Sequence, residues 1–253
     1  MTDAPGWPGI APRWTSSAKS GIGTALSPVS RVWFTLSHGI LDEIYYPRVD
    51  QACTRDFGFI VTDGAGFFAE EKRDCTFDLA RMEDGVPAFQ LTSTHEGGRF
   101  RIVKFVLSDP RADVVLQRVR LEVLDGSPLR LFALLAPHLV NGGAHNTAWI
   151  GTYKGHRLLF AEGDGTSIAL GCSRPFLAAS AGFVGTSDGW QAMITRPPRR
   201  FTRGAYRMNW KVSPSPCSAR IRMVLPSRGE PSQRGAWTST ARGARSLHFH
   251  RHR

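Results

Sequence analysis

Between about residues 32 and 180 the chain is a succession of short strand-like segments cut apart by turn-forming clusters, and this punctuation restricts it to an antiparallel β architecture. The clusters are Asp63-Gly64-Ala65-Gly66, Glu83-Asp84-Gly85, Glu96-Gly97-Gly98, Asp125-Gly126-Ser127-Pro128, Asn141-Gly142-Gly143 and Gly163-Asp164-Gly165. Gly, Asn and Asp accept the positive φ angles that tight hairpin turns require. Between the clusters, Arg118-Val119-Arg120-Leu121-Glu122-Val123 alternates charged and apolar residues strictly, which is the period of a half-buried strand. Leu129 to Leu135 is apolar on both faces apart from Arg130, so it reads as a more interior strand. Apolar residues do not recur at spacings of three and four, as an amphipathic helix needs. The fold expected is all-β, a sandwich of two antiparallel sheets.

Length and composition agree with a single large β unit: 253 residues, 42% hydrophobic, with seven Trp and fifteen Phe to fill a core. No run approaches the roughly 20 apolar residues of a membrane span. The N-terminus lacks a basic segment followed by an apolar one, so a cytoplasmic location is the expectation. Cys53, Cys75, Cys172 and Cys217 are widely spaced, with no C-x-x-C pair and no His at zinc-ligand spacing. Free thiols are expected, with no metal and no cofactor.

The net charge of +11 is not evenly spread. Residues 1–192 hold 18 Lys and Arg against 20 Asp and Glu, whereas 193–253 hold 14 basic residues and one acid, Glu230. Past residue 191 the chain is dense in Arg, Pro, Ser and Gly, and a strand-like alternation persists only over residues 219–225. Such a segment buries little and is expected to be mostly disordered. Two regions follow: a sandwich over 1–191 and a basic tail over 192–253.

Several segments resemble the N-terminal domain of the bacterial glucoamylases and glucodextranases of glycoside hydrolase family 15. They are 4–14 (Ala-Pro-Gly-Trp-Pro-Gly-Ile-Ala-Pro-Arg-Trp), 19–25, the long run from Val32-Trp33-Phe34 through Tyr45-Tyr46-Pro47-Arg48-Val49-Asp50, then 54–64, Glu70-Glu71-Lys72-Arg73 and 185–191. The resemblance implies a large super-sandwich of galactose mutarotase-like shape that precedes an (α/α)6 catalytic barrel in the same chain. It covers residues 4 to about 191. The tail is therefore read as out-of-frame translation or another aberrant C-terminus, which leaves the sandwich incomplete and short of strands that would close it.

Hydrolysis with inversion needs a protonated acid and a carboxylate base roughly 6.5–9.5 Å apart across the sugar. The resemblance places both in the barrel, so no catalytic residue carries over to this chain. Asp42-Glu43 and Glu70-Glu71 are adjacent pairs whose members point to opposite faces of a strand, and they read as solvated or ion-paired surface acids. Gly21-Ile22-Gly23 is too short a motif to indicate phosphate binding. The candidate surface site is Tyr45, Tyr46, Arg48 and Asp50: aromatic rings to stack on sugar C–H faces, with Arg and Asp to bond hydroxyls. Its structural counterpart is a corner in which Pro47 fixes the turn, the tyrosines pack and Arg48 pairs with Asp50. Trp33, Trp149 and Trp190 read as core or domain-interface residues, and His38, His138 and His145 as structural.

Three functions are compared: an accessory domain of a glucan 1,4-α-glucosidase that is inactive alone, a stand-alone carbohydrate-binding module, and nonspecific nucleic-acid binding through the Arg-rich tail. The tail has no specific nucleic-acid motif. An α-glucan is the partner the first two share.

Overall fold

The computed structural model describes residues 4–195, 206–209 and 218–224. Its strands run in chain order as β1 (Gly21–Thr24), β2 (Trp33–Ser37), β3 (Ile40–Tyr45), β4 (Thr54–Thr62), β5 (Phe68–Glu70), β6 (Cys75–Arg81), β7 (Phe89–His95) and β8 (Phe100–Ser108). They continue as β9 (Val114–Val123), β10 (Arg130–Pro137), β11 (Thr147–Tyr153), β12 (His156–Gly163), β13 (Thr166–Cys172), β14 (Ala178–Ala181), β15 (Tyr206–Asn209) and β16 (Ser218–Val224). Two short helices interrupt them, α1 (Glu71–Asp74) and α2 (Gly189–Thr195). The expected all-β sandwich is what the chain forms.

Sheet A runs β1-β2-β3-β4-β10, with β5 paired to β4; sheet B runs β11-β12-β13-β16-β9-β8-β7-β6; β14 and β15 form a separate ribbon. The pairings of β8 with β9, consecutive in the chain, and of β4 with β10, which has five strands between its members in sequence, are antiparallel and long. Five of the six turn clusters fall between strands, and the sixth begins on the last residue of β12, Gly163. In the β12–β13 hairpin Asp164 and Gly165 take φ of 48° and 71°, the two positive angles of a type I′ turn. Lys154 and Gly155 (φ 49° and 78°) make the same turn between β11 and β12, where the sequence carries a weaker Lys-Gly signal.

The core lies between the sheets. Phe34 and Leu36 of β2, Phe57, Phe59 and Val61 of β4 and Leu131 and Ala133 of β10 meet Leu91 of β7, Phe100, Ile102 and Val106 of β8 and Val119 of β9. Fully burying each large side chain contributes roughly 1.5–3 kcal/mol. The alternation read over 118–123 holds, with Val119 and Leu121 inward and Arg118 and Arg120 exposed. β10 is apolar on both faces because its outer face has a cover of its own: Phe132 and Leu134 join Ile60 in a second cluster packed by Phe68, Trp190 and Met193.

The end of the sandwich drawn at residue 191 falls inside α2, and β15 and β16 lie beyond it. β16 stands between β13 and β9, in the interior of sheet B. That part of the basic tail is strand, in keeping with its alternation over 219–225 and not with disorder; of the rest, 192–195 belong to α2 and 206–209 to β15, and 196–205, 210–217 (with Cys217) and 225–253 lie outside the described residues. Among the described residues Cys53, Cys75 and Cys172 are free thiols. No helix among them is long and apolar enough to cross a membrane.

Candidate functional site

The corner after β3 is where the sequence places its candidate site. Successive strand residues face opposite ways, and this separates the two tyrosines. Tyr46 turns into the core and is 2% exposed. Its hydroxyl accepts a hydrogen bond from Arg31 at 2.7 Å, and the same guanidinium bonds Asp113 at 2.7 Å and lies 5.1 Å from the Tyr46 ring centre. Burial and the Asp113 charge push the Tyr46 phenol up to about 12. Tyr45 faces the other side, half-buried, and donates to Glu43 Oε2 at 2.7 Å. Burial and that carboxylate hold its phenol well above the usual range.

Arg48 and Asp50 are exposed and grip each other through two hydrogen bonds of 2.9 and 2.6 Å. The Arg48 bond holds the Asp50 carboxyl below its ordinary value. The corner is closed by Asn141, whose side-chain nitrogen donates to Asp50 O at 2.8 Å while its oxygen accepts from Ala52 N at 2.8 Å. Asn141 and Val140 reach that position with φ of 61° and 51°. The four candidate residues therefore do not converge on one surface: Tyr46 is core, Tyr45 belongs to the outer face of sheet A, and Arg48 with Asp50 forms a self-contained pair at the tip.

On that outer face the chain builds a polar cluster that the sequence does not announce. Lys19 contacts Asp42 at 3.2 Å and Glu43 at 2.7 Å; Lys72 contacts Asp56 at 2.8 Å; Arg55 also meets Asp56 at 2.8 Å. The Thr15 hydroxyl lies 3.2 Å from Asp42 and 3.1 Å from Asp56, and Ser37 donates to Asp42 at 2.5 Å. Burial raises the Asp42 carboxyl above its ordinary value against the pull of Ser37 and Lys19. Burial pulls the Lys19 ammonium down, yet Glu43 and Asp42 outweigh it and hold it raised. Thr15 fills the space between the two aspartates, so a sugar and its attacking water have no place there. This cluster clamps the N-terminal segment over sheet A.

The second adjacent pair also differs from the surface acids expected. Glu71 is 1% exposed and Asp42 is fully buried. The inward register of β8 is Phe100, Ile102, Lys104 and Val106, which brings a lysine into the core. Lys104 is fully buried; it donates to Glu71 Oε1 and to Gly39 O, and its ammonium is 5.8 Å from the Phe59 ring centre. Burial drives the Lys104 ammonium below its ordinary value although Glu71 opposes this. Glu70 accepts from Trp190 Nε1 at 3.0 Å, which ties α2 to β5.

Trp190 packs at the second apolar cluster, and Trp149 stacks on Phe160 with ring centres 5.4 Å apart. His138 is 5% exposed and meets Trp14 edge to face; His38 is exposed and bonds Ser37 at 2.9 Å. His145 is exposed. No group of three or more His, Cys, Asp or Glu among the described residues is placed to hold a metal. Open grooves lie among the described residues, and two are of note. One of about 490 Å³ lies between the sheet edges, against Ile22, Leu79 and Phe89. The other, about 410 Å³, lies on the outer face of β7, β8 and β9.

Fold and contacts together define a two-sheet antiparallel sandwich domain whose interior acids are tied into structural pairs. The chain belongs to the family described as glucodextranase, domain N, which it matches over residues 4–210. It is 32% identical over 183 residues to a glucoamylase of Clostridium sp. (strain G0005), a match that takes in 72% of this chain and 26% of that protein. A crystal structure of a bacterial glucoamylase complexed with acarbose superposes with a TM-score of 0.84 at 27% identity, over 90% of this chain and 35% of the other. The chain thus has the N-terminal domain of a family 15 glucoamylase and spans about a quarter to a third of the length of these relatives.

Proposed function

We propose that this chain is the accessory domain of a glucan 1,4-α-glucosidase, inactive alone, whose work is to support an (α/α)6 catalytic barrel in the same polypeptide. One observation carries the reading: most of each relative's length lies outside the matched domain. The state of the adjacent acids supports it, since Asp42, Glu43, Glu70 and Glu71 are each held by a cation or a hydrogen-bond donor of the fold. Exposed apolar side chains on the N-terminal segment, Trp7 (75% exposed), Ile10 and Trp14, with Val184 on the loop that Ile10 bonds, supply apolar surface suited to such a contact. The experiment is to incubate the purified chain with maltooligosaccharides of several lengths. Release of no glucose is expected, and turnover comparable to a glucoamylase overturns the reading.

We read Tyr45, Tyr46, Arg48 and Asp50 as a structural corner, supported by the core position of Tyr46 and the closed Arg48–Asp50 pair. The substrate-contact alternative requires that Arg48→Ala weaken glucan binding; the structural reading expects no change. The shift of composition past residue 191 supports a change of reading frame there. Sequencing the locus checks it, with a barrel encoded downstream in another frame as the expected result. β16 limits that reading, because residues 218–224 occupy the middle of sheet B whatever their origin.

A further inference from the structure

On the outer face of sheet B the cross-strand rows differ in their charge. In one row Arg101 of β8 faces Glu122 of β9 and pairs with it at 3.5 Å, the usual economy of a solvated sheet face. The neighbouring rows lack that balance. Thr92, Val103 and Arg120 form one, and Gln90, Phe105 and Arg118 form the next, with no acid in either. Arg120 reaches forward along its strand to Glu122, which Arg101 already shares. Arg118 makes no ion pair among the described residues; its guanidinium rests 5.7 Å from the Phe105 ring centre. An anion bound beside it would meet a guanidinium that no acid of the described residues occupies.

The groove of about 410 Å³ follows these same rows. Its floor is apolar, from Val103 and Phe105, both half-buried. One wall is polar and neutral, from Gln90 and Thr92, whose side chains lie 3.5 Å apart. The other wall is Arg118 and Arg120. An apolar floor takes the C–H face of a sugar ring, and an amide and a hydroxyl take its hydroxyl groups. Planar arginine forks take two oxygens of one phosphate.

We propose that this groove binds α-glucan carrying phosphate monoesters, with a glucose ring over Val103 and Phe105 and the phosphate held by Arg118 and Arg120. The glucan part rests on the reading of the chain as part of a glucan-acting enzyme; the phosphate part rests on Arg118, and on Arg120 having to share Glu122 with Arg101. The phosphate seats toward Arg118, since Glu122 repels it at the other end of the groove.

The test is a binding isotherm of the full chain, at physiological salt, on one phosphorylated starch before and after phosphatase treatment. Dephosphorylation is expected to weaken binding about tenfold. Arg118→Gln should lose a similar factor on the phosphorylated sample, and Arg118→Lys, which keeps the charge but not the fork, an intermediate one. Phe105→Ala should weaken both samples. These side chains face solvent, and unchanged melting curves certify the variants as folded. The basic tail is the same in every variant, so its attraction for phosphate cancels between variants on one sample; it does not cancel between the two samples, and the groove is therefore read from the loss that Arg118→Gln adds on the phosphorylated one. Equal affinity before and after phosphatase overturns the phosphate assignment. An unchanged Arg118→Gln places the binding elsewhere and overturns the site. Arg118-dependent binding of an oligothymidylate as tight as that of the phosphorylated starch replaces the proposal with a general polyanion surface. Absence of all glucan binding overturns the groove but leaves the accessory reading intact, because that reading is tested by glucose release.

Discussion

Lys104 shows what a single residue contributes when its surroundings are fixed by a strand register. The alternation of β8 carries it inward, and Glu71 and Gly39 O receive it there. Lys104→Met leaves Glu71 buried without a counter-charge and should cost about 3–5 kcal/mol in a urea titration. The double change Lys104→Met with Glu71→Leu removes both charges and should recover most of that loss. His138 makes a prediction in pH. Burial, reinforced by Arg55, holds its imidazole below the ordinary 6.5, while the unfolded chain takes up a proton near that value. Its stability contribution is therefore complete above 6.5 and is lost as pH falls from there toward the depressed folded value. Melting temperatures across that window should fall less steeply for His138→Gln than for the parent. The inward place of Lys104 was not legible, because 100–108 is apolar in both registers, Phe100, Ile102 and Val106 in one and Val103, Phe105 and Leu107 in the other, with one cation in each. Neither was its partner, because Glu71 arrives from a one-turn helix that no local pattern connects to β8.

At the scale of elements the sequence is most informative where a property is local. Turn clusters, the alternation of β9 and the two-sided apolarity of β10 all follow from neighbours along the chain, and all are found. The polar clamp on sheet A was not visible, since Thr15, Lys19, Asp42, Asp56 and Lys72 meet only once β3 and β4 are in register under the N-terminal segment. The candidate corner fell between these cases: its turn was legible, but the opposite facing of Tyr45 and Tyr46 divides what had been drawn as one surface. β1 carries the sharpest packing demand. A Cβ on Gly23 would stand 2.2 Å from Cζ of the fully buried Phe34. Gly23→Ala should destabilise the fold by about 1–3 kcal/mol in chemical denaturation, whereas Gly66→Ala, where the added carbon meets nothing, is expected to be nearly silent.

For the molecule as a whole, the decisive element is β16. It bonds β13 on one side and β9 on the other, so it is the join between two parts of sheet B and not an added edge. A chain ending at residue 195 would present the facing sides of β9 and β13 as unpaired backbone, a template for association between molecules. Such a chain should elute as aggregate in size-exclusion chromatography and lose its cooperative melt, while a chain ending at residue 224 should behave as the parent does. Equal behaviour of the two would show that sheet B does not depend on the strand. The alternation over 219–225 signalled the strand itself but not its interior place, because the six prolines and thirteen arginines around it suggest a segment that packs against nothing.

The place of β16 also has a consequence in time. Strand β9 leaves the ribosome roughly a hundred residues before the segment that must sit beside it, and loop closure over such a distance is slow. The first half of sheet B can zip as local hairpins while it is synthesised, but its two parts wait for nearly the end of the chain. During that interval the facing edges of β9 and β13 stay open, the kind of exposure that makes a nascent chain prone to association.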